Sequence, residues 1–105
     1  MARTLTATDR SALIRLASTL EKGSPERRAI LAGLEKSARM PSMVLNDPEA
    51  YLRWARKTWE YNVNNPRLKF DAAVEKTRKK NRLPDTPEGR AEAAYHEIML
   101  LQGGR

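Results

Sequence analysis

The chain has no cysteine and a single histidine among its 105 residues, and these two scarcities narrow the chemistry before any motif is weighed. Without thiols there is no disulfide framework, no thiolate nucleophile and no cysteine metal cluster. A histidine-centred catalyst would rest on His96 alone, and Glu92 and Glu97 beside it form no metal-ligand spacing. The few glycines are scattered, so no Gly-rich loop is present to cradle a phosphate. No apolar run approaches the roughly 20 residues of a membrane helix. The segment Ala2 to Leu20 lacks the concentrated apolar core of a secretory leader, and Asp9 interrupts its positive character. The composition therefore points to a soluble protein of the cytoplasm or another intracellular compartment, with no membrane, metal or cofactor.

Hydroxyls and carboxylates are present but not arranged for catalysis. Ser11, Ser18, Ser37 and Ser42 belong to no nucleophile motif, and Ser24 has a capping role. Asp47 and Glu49 sit where a helix begins, while Asp85, Glu88 and Glu92 suit the entrance or solvent face of another. The expectation is a protein that is not an enzyme and has no catalytic residues.

What is plentiful is helix punctuation. Ser24-Pro25, Asp47-Pro48, Asn65-Pro66 and Thr86-Pro87 each set a capping side chain before a proline. The side chain can accept an orphan amide at the helix start, and proline at the first helical position forfeits a donor that had no partner. Thr6 and Asp9 have the spacing of a capping box, with Leu5 ready to pack nearby.

Between these marks, apolar residues recur at helical spacing. Leu13, Ile14, Ala17 and Leu20 define a helix over about 7–20, with Arg10 and Arg15 at its solvated edges. Ile30, Leu31 and Leu34 define one over 25–38, paired with the first as an antiparallel hairpin; Gly33 inside it suggests close helix contact. Residues 40–46 read as a connector that covers the core without completing a helix. Tyr51, Leu52, Ala55 and Trp59 make the strongest apolar face, in a helix begun by Asp47 and Pro48. Asn62, Asn64, Asn65 and Pro66 make a turn, after which Phe70, Ala73, Val74 and Thr77 anchor a helix reaching Lys80, with Leu68 near its entrance. Ala91, Ala94, Tyr95, Ile98 and Leu101 anchor the last helix, before Gly103 and Gly104 release the terminus. The fold class is all-alpha: residues 1–105 as a single helical domain of about five short amphipathic helices, with flexible extreme termini.

Function must come from the surface, where 20 Lys or Arg face 13 Asp or Glu for a formal net charge of +7. Lys76, Arg78, Lys79, Lys80 and Arg82 concentrate positive charge within one stretch, and Arg53, Arg56 and Lys57 could extend it. Such an array could contact a DNA or RNA backbone without selecting bases. The same run could simply solubilise a helix end, where cations complement the dipole. Trp59 reads as a core anchor, whereas Trp54 and Tyr61 could meet a partner. Two functions follow: weak, largely nonspecific nucleic-acid binding through phosphate contacts, or a helical protein-interaction or assembly subunit, of the kind found in phages or mobile elements. Oligomeric state is not encoded in any of these features.

Overall fold

The computed structural model describes residues 5–41, 43–62 and 69–103, and among these the regular structure is entirely helical. The helices are α1 (Ala7–Ser18), α2 (Pro25–Ser37), α3 (Met43–Asn46), α4 (Pro48–Asn62), α5 (Phe70–Lys80) and α6 (Pro87–Gly103).

Most starts follow the sequence punctuation. Thr6 Oγ1 accepts the Asp9 amide at 3.1 Å while Asp9 Oδ2 accepts the Thr6 amide at 3.2 Å, a complete capping box. Ser24 Oγ accepts the Arg27 amide at 3.2 Å and Thr86 Oγ1 the Gly89 amide at 3.1 Å. Asp47 Oδ1 accepts the Ala50 amide more loosely, at 3.4 Å. Asn64, Asn65, Pro66 and Leu68 lie outside the described residues; α5 begins at Phe70, with Lys69 at the cap position and no side-chain cap bond. Asn62 is the last residue of α4 rather than part of a turn.

Two helix ends are unusual. After α2 and α5 the chain turns through Arg39 and Arg82, both left-handed with φ of 57° and 55°. In each case the next amide reaches back beyond the usual helical partner to close the end, Met40 to the Glu35 carbonyl at 2.8 Å and Leu83 to the Arg78 carbonyl at 2.9 Å. Glycine is the usual residue at such a turn. Here the burial of Met40 and Leu83 directly afterwards holds each one in place.

The last helix is the centre of the molecule. It packs against α1, α3, α4 and α5, and Ala91, Ala93 and Ala94 are all fully buried, so short side chains let neighbours approach from several directions. Around it gather Ile14 and Ala17 of α1, Leu31 and Leu34 of α2, Val44 and Leu45 of α3, Tyr51, Ala55 and Trp59 of α4, and Phe70 and Val74 of α5. Trp59 meets Phe70 edge-on with ring centroids 6.0 Å apart, joining α4 to α5. Residues 43–46 do complete a helical turn, contrary to the connector expected there, and bury Val44 and Leu45.

Glycine roles also differ from expectation. A Cβ at Gly33 would meet nothing within 4 Å, so this residue permits no close helix contact. Gly89 does: a Cβ there would lie 2.0 Å from the Pro84 carbonyl oxygen, so only glycine lets the connector cross the first turn of α6.

The largest departure is a polar layer inside the core. Arg10, expected at a solvated edge, forms a two-pronged pair with Glu92, Nε to Oε2 at 2.9 Å and Nη2 to Oε1 at 2.6 Å. Its Nη1 donates to the Leu34 carbonyl at 3.1 Å and Ser37 Oγ at 2.7 Å. Arg27 Nη2 pairs with Glu88 Oε2 at 2.6 Å, and its Nη1 donates to the Leu20 carbonyl at 3.2 Å. These bonds place the N-terminal end of α1 by the C-terminal end of α2, as the expected antiparallel hairpin requires, and fasten both helices to α6. Glu35 of α2 accepts the amides of Leu45 and Asn46 at 2.7 and 3.1 Å and Asn46 Nδ2 at 3.1 Å, anchoring α3. Glu88 and Glu92 are therefore buried joints, not solvent-face carboxylates. Among the described residues, no buried side-chain nitrogen or oxygen lacks a partner.

Candidate functional site

The expected basic run lies on α5 and the turn after it, and helical geometry divides it by direction. Phe70, Ala73, Val74, Thr77 and Arg78 point toward the body of the protein, leaving Lys69, Lys76, Lys79 and Lys80 exposed on the outer side. At 1.5 Å per residue, Lys69 to Lys80 spans about 16 Å. Lys69 lies outside the run that charge density singles out, although it stands one heptad before Lys76 on the same helix face.

The carboxylates of α5 are already committed. Asp71 pairs with Arg56 of α4 at 2.5 Å. Glu75 takes a two-pronged bond from Arg78, Nε to Oε1 at 2.7 Å and Nη2 to Oε2 at 2.8 Å. That side-chain bond holds Glu75 below the ordinary carboxylate range and pushes Arg78 up from its own usual value. Arg78 Nη1 also donates to the Leu83 carbonyl at 3.1 Å, so its guanidinium fastens the end of α5. Arg82 is exposed at the turn, where its carbonyl accepts the buried Ser11 hydroxyl at 2.5 Å.

Pairing falls to arginine, although Arg15, Arg28, Arg39, Arg53 and Arg82 are exposed and take part in none of the pairs. Every ion pair among the described residues uses arginine: Arg10, Arg27, Arg56, Arg78 and Arg90. Every lysine is exposed, and none takes part in those pairs. The planar guanidinium can hold a carboxylate with two parallel bonds and is weakly hydrated, whereas the ammonium is strongly hydrated and stays in water.

Arg53, Arg56 and Lys57 do not simply continue the α5 surface. Between α4, α5 and the start of α6 lies a groove of about 510 Å³, lined by Arg53 and Arg56 of α4, Asp71 and Glu75 of α5, and Asp85 and Arg90 from the turn before α6 and its first turn. Its floor is Leu52, Phe70 and Val74, and the Arg56 guanidinium lies 5.2 Å from the Phe70 ring centre. The Arg56–Asp71 pair and the Trp59–Phe70 contact set the second half of α4 beside the start of α5.

The opposite flank of α4 carries Trp54, Lys57 and Tyr61 at positions i, i+3 and i+7. Trp54 is 48% exposed and Tyr61 90%, while Trp59 is buried at 5%. Tyr51 supports Trp54 from beneath, ring centroids 5.6 Å apart. Burial drives the Tyr51 phenol well above the usual tyrosine range, with Tyr95 adding to the shift.

A larger groove of about 720 Å³ lies between the α1–α2 turn and the starts of α4 and α6. Lys22, Arg27 and Arg28 line it, but so do Asp47, Glu49 and Glu88, and the balance of charge favours no anion. His96 is half-buried beside Tyr95, and no cluster of metal-ligating side chains occurs among the described residues. No described helix is long and apolar enough to cross a membrane.

Comparison with protein-family models, curated proteins and solved structures finds no match.

Proposed function

We propose that this protein binds nucleic acid weakly and with little sequence preference, through phosphate contacts from the outer face of α5. Lys76, Lys79 and Lys80 form the centre of that face, with Lys69 and Arg82 at its ends. The observation that carries the reading is the fate of the α5 carboxylates. Asp71 and Glu75 are held by Arg56 and Arg78, so the helix presents its ammonium groups outward without neutralising partners of its own. A row of about 16 Å matches the axial rise of about five base pairs along one strand. Long lysine stems let the charges adjust to phosphate positions, which suits attraction to a backbone rather than base readout.

The test is a binding titration against duplex and single-stranded DNA and RNA at several salt concentrations. Log affinity should fall linearly with log salt. The combined Lys76→Gln, Lys79→Gln and Lys80→Gln variant should flatten the duplex-DNA slope by about 0.9 for each phosphate that the protein no longer neutralises. An unchanged slope and affinity in that variant would reject the α5 face as the binding surface. The competing reading, a helical protein-interaction or assembly subunit, draws its support from the exposure of Trp54 and Tyr61.

A further inference from the structure

We infer that the Trp54–Lys57–Tyr61 face of α4 is a second nucleic-acid contact, which accepts unpaired bases and gives the protein a preference for single-stranded segments. This deepens the phosphate-binding reading and rests on it, but it concerns a different surface.

The face consists of two exposed rings with an ammonium between them. Trp54 and Tyr61 stand seven residues apart on one side of α4, about 10 Å along the axis, and Lys57 lies between them. The acidic residues of this helix, Glu49 and Glu60, share the other flank with Arg53 and Arg56 by helical spacing, so the cation nearest both rings is Lys57. Tyr51 braces the Trp54 ring from one side and leaves about half of it open, which lowers the cost of ordering it against a flat partner.

The form of this surface selects its occupant. Lysine is depleted at the centres of protein interfaces, whereas here Lys57 stands between the two rings. Tyr61 is 90% exposed, and neither groove described above includes Trp54 or Tyr61 in its walls, so both rings present open surface. A base, in contrast, needs only an open ring face, and its phosphate needs a nearby cation. Rings about 10 Å apart exceed the roughly 3.4 Å rise between stacked neighbours. Two bases seated on them must belong to a splayed strand. Duplex bases have their faces covered by their neighbours, so duplex engages the α5 lysines and not these rings.

The experiment compares a labelled oligothymidine with a length-matched duplex at one low salt concentration, using the whole chain and the variants Trp54→Ala, Tyr61→Ala and the triple α5 lysine variant. Each ring substitution should weaken oligothymidine binding about tenfold and leave duplex binding unchanged. The side chains are solvent-facing, and circular dichroism verifies that each variant is folded. Equal weakening on both ligands, or no weakening on either, would overturn the inference. So would unchanged oligothymidine affinity accompanied by a Trp54-dependent change in assembly mass, which would assign the rings to protein contact. Failure of the α5 reading looks different: duplex binding would then be absent or insensitive to the triple variant, whatever the ring variants do. If neither nucleic acid binds the parent protein, both readings fall.

Discussion

Replacing Arg10 by Met should be among the most damaging single substitutions in this protein, although arginine side chains usually tolerate change. The Glu92 side chain is only 3% exposed and receives both of its prongs from Arg10, which is itself 11% exposed. Removing the arginine leaves a buried carboxylate without its cation and also strips a donor from the Leu34 carbonyl and from Ser37. Breaking a buried pair from one side costs about 3–5 kcal/mol. For a domain of this size, that corresponds to a fall in Tm on the order of 20 °C. Glu92→Leu should cost less, because the orphaned guanidinium keeps its Nη1 bonds and is nearer to solvent. The double variant should then recover much of the stability, since replacing both charges by apolar groups can be nearly neutral. Urea unfolding followed by circular dichroism supplies the four corners of the cycle. A cost below about 1 kcal/mol for Arg10→Met, or costs that simply add in the double variant, would refute the claim that this pair is a buried joint.

The two glycines should respond oppositely to alanine. Gly89→Ala drives a methyl group into the Pro84 carbonyl and should cost about 1–3 kcal/mol, whereas Gly33→Ala has open space and should gain about 0.5–1 kcal/mol; chemical denaturation measures both, and equal signs would contradict the packing. Tyr51 should make the fold sensitive to alkali. Its folded pKa lies above the ordinary tyrosine value of 10.0, so its stabilising share is complete below that value and is lost as pH rises toward the folded pKa, because the unfolded chain releases the proton first. Stability of the parent should therefore fall more steeply than that of Tyr51→Phe between about pH 9 and pH 11, and parallel curves would count against it.

The architecture was legible because caps and apolar spacing agree locally. Thr6, Ser24, Asp47 and Thr86 each act on the amide three residues ahead, and Tyr51, Ala55 and Trp59 bury the face their spacing implies. The polar core was not legible, for a physical reason. Glu88 and Glu92 occupy successive turns of one α6 face, a pattern that reads equally as solvent-exposed until the partners are known. Those partners, Arg27 and Arg10, come from distant turns of the chain, and nothing local marks an arginine that will be buried. Residues 43–46 misled for a related reason. A four-residue turn has little intrinsic helical stability, and this one is anchored by Glu35, a carboxylate that precedes it by a whole connector.

The candidate site was partly legible on the same terms. Density of charge located α5, but density alone does not distinguish a cation that links helices from one that faces water. Arg78 and Lys79 are neighbours in sequence, yet the first is bound to Glu75 and the Leu83 carbonyl while the second is exposed. The distinction lies in direction around the helix, reinforced by the chemistry of the head group: a fork matched to carboxylates against a compact, hydrated ammonium. Once Arg56 and Arg78 are assigned to the frame, the outward charge of α5 is carried by Lys76, Lys79 and Lys80, with Lys69 before the helix and Arg82 after it. The ring pair lies on the flank of α4 away from the groove that Asp71 and Glu75 line. A single ligand touching both surfaces would have to span that groove, so the two proposed contacts should be separable by mutation.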